Sequence, residues 1–112
     1  MELIKQAVKG IEDKKGLDII IFDIRELLSY TDYIILCSGT SDKHVQAVAD
    51  NISQEVTKAG GQNYGTEGAK EGAWVLLDFG DIIVHVFKEE VREYYKLEEL
   101  WKNGKVIDPT TI

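Results

Sequence analysis

A mixed five-stranded sheet with helices packed mainly on one face, an α/β (α+β) sandwich, is the fold class that this 112-residue sequence predicts. Three observations carry that expectation. Helical and strand-like hydrophobic periods alternate along the chain, with no internal repeat, low-complexity tract or long linker. Residues 74–87 read as a β-hairpin with two unlike faces. Finally, there are few helical stripes for five strands, so part of one sheet face is expected to stay uncovered.

The elements follow in order. Ile4, Ala7, Val8 and Ile11 form a helical stripe that ends at Lys14-Lys15-Gly16, the charge and glycine suited to a helix C-terminus. Residues 17–24 are a first strand, 25–32 a connection and 33–38 a second strand. Ser41 and Asp42 then cap a helix whose stripe is Val45, Val48, Ala49, Ile52 and Val56, terminated by Gly60-Gly61. A right-handed crossover should carry the chain from the second strand through this helix. A short edge strand is expected at 62–64, followed by a mobile loop over 65–72 with three glycines. After the hairpin, 88–101 is helical in parts, with Tyr94, Leu97 and Trp101 spaced to pack on the body. One domain is expected over 1–105, with a flexible tail over 106–112 around Pro109.

The hairpin is the most informative segment. With Gly80-Asp81 as a two-residue turn, glycine standing first where φ is positive, the strand pairs are determined. Phe79/Ile82, Leu77/Val84 and Val75/Val86 share one face, wholly apolar and therefore buried. Asp78/Ile83, Leu76/His85 and Trp74/Phe87 share the other. An indole, a carboxylate and an imidazole on one face suggest a docking surface; the competing explanation is that a second layer covers the face and His85 and Asp78 are hydrogen-bonded beneath it.

Composition narrows the partners. Twenty acidic against thirteen basic residues give a net charge of −7, so the basic stripe that binding to phosphate backbone requires is missing, and direct sequence-specific nucleic-acid binding is not expected. A basic protein is the better partner, although acidity also serves ordinary solubility. The apolar fraction of 44% suits a globular protein, and no apolar run approaches the roughly 20 residues that span a bilayer. Charges among residues 1–15 argue against a signal peptide. The single cysteine, Cys37, in an apolar strand, fits inert packing in a reducing, cytoplasmic setting.

Three chemical readings compete with docking. Gly39-Thr40-Ser41, at a strand end and opening a helix, resembles the phosphate-cradling turn of nucleotidyltransferases. Such transfer needs carboxylates one residue apart on a strand to hold metal, and Asp18, Asp23, Asp78 and Asp81 are not so spaced. Asp78-Phe79-Gly80 spells a kinase metal motif but lacks the loops that accompany it, and reads as a turn. Cys37, His44 and His85 lack the paired spacing of a metal site; His44 is expected to be solvated in the first turn of the central helix. No cofactor or metal is expected, and no enzyme activity, the alternative being a small nucleotide-binding or nucleotidyltransferase-type enzyme.

The run Tyr33-Ile34-Ile35-Leu36-Cys37-Ser38-Gly39-Thr40-Ser41-Asp42, leading into Val45-Gln46-Ala47-Val48-Ala49-Asp50, then the hairpin, then EVREYYKLEELW from Glu90 to Trp101, resembles the bacterial ribosomal silencing factor family, RsfS, also called Iojap or YbeB. The resemblance covers nearly the whole chain, with its motifs in order. It implies a nucleotidyltransferase-like fold without the catalytic residues, often homodimeric. It further implies binding to the large ribosomal subunit through ribosomal protein L-fourteen, which blocks joining of the small subunit and lowers translation when nutrients are short. Where the family commonly has Tyr, this chain has Phe79, placed by the register on the buried face. On this reading Trp74 anchors the docking surface with Leu76, Asp78 and His85 around it, and Lys88, Arg92 and Tyr95 form its rim.

Overall fold

The computed structural model describes residues 2–27 and 31–112. Their order is α1 (Glu2–Asp13), β1 (Leu17–Asp23), β2 (Tyr33–Gly39), α2 (Asp42–Lys58), β3 (Gly65–Glu67), β4 (Trp74–Asp78), β5 (Ile82–Lys88), α3 (Glu89–Tyr95) and β6 (Lys105–Ile107). Short 3₁₀ turns cover Leu97–Trp101 and Pro109–Thr111. The expected connection over 25–32 lies partly, at 28–30, outside the described residues.

One mixed sheet runs β3-β4-β5-β2-β1-β6. β2 and β5 are parallel and every other pair is antiparallel. β2, at the centre, is buried over its full length, which explains its unbroken apolar run in place of alternation. The stripes of α1 and α2 lie on one face of the sheet and bury Ile4, Ile11, Val48 and Ile52 against Ile21, Ile35, Leu77, Val84 and Val86. The two helices touch closely at Gly10, where a Cβ would stand 2.8 Å from Ile52 Cα, while Asn51 Nδ2 donates to the Gly10 carbonyl at 2.9 Å. Cys37 lies in this core, its thiol pushed up to about 12 by burial. Among the described residues, no helix is long and apolar enough to cross a membrane.

The hairpin adopts the expected register, Trp74↔Phe87 through Asp78↔Ile83. Gly80 has φ +85, and Phe79 N–H donates to the Ile82 carbonyl at 2.9 Å. Ser41 caps α2, its Oγ accepting from His44 N at 3.1 Å, and the helix closes at Gly60 and Gly61 with bonds back to Thr57 and Val56.

Four features depart from expectation. The sheet has six strands: β6 pairs with β1 where a flexible tail was expected over 106–112, and Asp108 caps the 3₁₀ turn that follows. The edge strand β3 starts at Gly65 rather than 62, because Asn63 Oδ1 accepts from Gly65 N at 2.8 Å and forms a turn first, so the front of the expected mobile loop is strand. At the end of α1 the positive φ belongs to Lys15, at +60, and not to Gly16. The segment after β5 breaks at Lys96, φ +49, so Trp101 packs but Tyr94 stays 79% exposed, and the side chain of Leu97 lies outside the described residues.

Candidate functional site

The sheet face opposite α1 and α2 is only half covered. Its residues follow from the registers: Trp74, Leu76 and Asp78 on β4, Ile83, His85 and Phe87 on β5, Ile34 and Leu36 on β2, and Phe22 on β1. α3 and the 3₁₀ turn after it cover the β1–β2–β5 part. Trp101 seals that region, 9% exposed, with its ring 6.4 Å from Phe22 and 5.8 Å from His85. Towards β4 and β3 the cover ends. Trp74, Leu76, Asp78 and Ile83 are half-buried there, and Tyr95, 55% exposed, sets its ring 5.2 Å from Trp74. The result is an apolar, aromatic surface with a carboxylate beside it.

His85 lies beneath this surface. Only 6% exposed, it accepts a hydrogen bond at Nδ1 from Trp74 Nε1–H at 3.0 Å and stacks on Phe87. An indole N–H can only donate, so Nδ1 must be unprotonated. Burial holds the imidazole at about 4, well below its ordinary 6.5. The unfolded chain therefore takes up a proton as pH falls through 6.5 while the folded chain does not. Stability is complete above 6.5 and is lost as pH falls towards 4, by about 3 kcal/mol in all. Between pH 7 and pH 5, urea unfolding should show wild type losing about 2 kcal/mol more than His85→Gln; parallel losses would contradict the assignment.

Asp78 is partly committed to the turn, its Oδ1 accepting from Gly80 N at 2.8 Å. Two of the expected rim residues lie elsewhere. Lys88 follows Val84 and Val86 on the helix-covered face, where its ammonium pairs with Asp42 at 3.0 Å. Arg92 is 8% exposed. Its Nη1 donates to the Asp18 carbonyl at 2.7 Å and to Ser38 Oγ at 2.9 Å, and its Nε to Glu98 at 2.8 Å. It ties α3 to the ends of β1 and β2, and so holds Tyr95 against Trp74. Of the seven expected docking residues, the structure brings Trp74, Leu76, Asp78 and Tyr95 together at the open surface, with His85 supporting them from below.

The Gly39-Thr40-Ser41 turn uses its polar groups internally. Thr40 N–H donates to His44 Nδ1 at 2.9 Å, Ser41 Oγ caps His44 N, and His44 Nε2 bonds the Lys14 carbonyl at 2.8 Å. His44 is thus a clip between α1 and α2 rather than the solvated side chain expected. A phosphate at this turn would have to displace those bonds. Titration with each of the four ribonucleotides plus magnesium should give no saturable heat up to millimolar ligand; a single saturable site would contradict this.

The family model described as ribosomal silencing factor during starvation, RsfS, matches residues 1–112. The ribosomal silencing factor RsfS of Haemophilus influenzae is 42% identical over 101 residues, covering 90% of this chain and 99% of that one. A crystal structure of a Chromobacterium violaceum protein superposes with a TM-score of 0.88 at 40% identity, covering 90% of this chain and 84% of that one. A mouse protein named for mitochondrial assembly of the ribosomal large subunit is 31% identical over 101 residues, covering 88% of this chain and 44% of its own length.

Proposed function

This chain belongs to the RsfS family of ribosomal silencing factors, and on that premise we propose that it represses translation by docking on the large ribosomal subunit through ribosomal protein L-fourteen and obstructing entry of the small subunit. The observation that carries the reading is the uncovered half of the sheet face. Trp74, Leu76, Ile83 and Tyr95 expose apolar and aromatic surface there, with Asp78 beside them. A monomer gains nothing by leaving an indole partly in water, whereas an interface gains a central anchor. The net charge of −7 suits a basic ribosomal protein as partner. No catalytic step enters this account: the effect is steric, and the cytoplasm is where it would be exerted. Self-association into a homodimer belongs to the same proposal and is read by sedimentation equilibrium.

Calorimetric titration of purified L-fourteen protein into the chain tests the partner. Saturable binding that weakens with added salt is expected. No heat under conditions where both proteins are folded would overturn the assignment of L-fourteen.

A further inference from the structure

β3 pairs Glu67 with Leu76 of β4, so the Glu67 carboxylate stands on the same open sheet face as Trp74 and Leu76. Together with Gly68 these residues line a shallow open groove along the β3 edge. Its walls are apolar except at one point. The lining includes no basic residue, and the ion pairs found among the described residues all lie elsewhere, so none of the described cations pairs with Glu67. An apolar floor ending in a lone carboxylate matches one kind of side chain, a long aliphatic stem that carries a positive charge.

We propose that this groove receives a single lysine or arginine side chain of the docking partner, with its stem on Leu76 and the exposed part of Trp74 and its cationic head on Glu67. Glu67 is then a specificity-determining residue. It selects a basic residue at one position of the partner, while Trp74 and Leu76 supply the apolar contact. The inference rests on the reading of the open sheet face as the ribosome-docking surface. Glu67 is exposed and approached from solvent, so the pair is screened by salt and its contribution is modest.

Co-sedimentation with isolated large ribosomal subunits, at low and moderate salt, tests it with four variants. Glu67→Gln is expected to weaken binding roughly fivefold at low salt and to flatten the salt dependence. Glu67→Lys, which sets like charges together, should weaken it roughly thirtyfold. Glu12→Gln removes the same charge from exposed α1, on the far side of the sheet, and should bind as wild type. Leu76→Arg reports on the face itself and should lose binding. Wild-type affinity in both Glu67 variants, with Leu76→Arg defective, would overturn this inference and leave the docking face standing. Equal losses in Glu12→Gln and Glu67→Gln would overturn it in favour of a general field effect. Wild-type binding by Leu76→Arg would overturn both the face and the groove.

Discussion

Arg92→Ala is expected to lose about 3 kcal/mol of folding stability, the largest effect of any single charged side chain in this fold. The guanidinium joins groups far apart in sequence: the Asp18 carbonyl at a bulge in β1, the buried Ser38 hydroxyl at the end of β2, and Glu98 just past α3. Truncation leaves the Ser38 hydroxyl, 1% exposed, without its donor, whereas Glu98 can turn to water. For a domain of this size the loss lowers the melting temperature by roughly 12 °C. Arg92→Lys should recover less than half, because an ammonium cannot fork to the same three partners. Urea unfolding followed by circular dichroism measures this, and a loss under 1 kcal/mol would show that α3 is held by its apolar contacts alone. Because α3 carries Tyr95 to Trp74, the same variant should also weaken docking without touching the partner.

Trp74→Ala is expected to lower affinity for large subunits at least thirtyfold, the loss associated with about 2 kcal/mol at an aromatic anchor. Its half-buried indole meets Tyr95 on one side and donates to His85 beneath, so it is both oriented and partly exposed. The variant also strands His85 Nδ1, which costs stability. The spectrum at 20 °C should nonetheless remain that of a folded protein, since the α1–α2 core is untouched. Leu76→Arg provides the control on fold, being half-exposed on the open face and apolar, with no polar partner to lose. A folded Trp74→Ala that co-sediments like wild type would remove Trp74 from the interface.

What could be read from the residues depended on how local the cause was. The hairpin register and both of its faces were legible because a two-residue glycine turn and a period of two determine them together. The same alternation places Lys88 with Val84 and Val86, away from Trp74, so its position off the rim is also legible in the strand period. Arg92 was different. A charged residue in a short helix reads as solvated, and its partners come from positions 74 and 54 residues away, which no periodicity reports. β6 is three residues long and pairs with a strand more than 80 residues earlier, so nothing near Lys105 announces it. Glu67 was hidden by the shift of β3 from 62–64 to Gly65–Glu67, which an asparagine turn produced. Half-coverage of the sheet was foreseeable from the shortage of helices; which half stays open depended on the break at Lys96 and on where Trp101 lands.

Subunit joining can be followed directly by light scattering, with large subunits incubated with the chain before small subunits are added. Steric obstruction predicts that wild type suppresses joining at stoichiometric concentration and that folded Leu76→Arg does not. Undiminished joining with wild type bound to the large subunit, or equal suppression by Leu76→Arg, would contradict it.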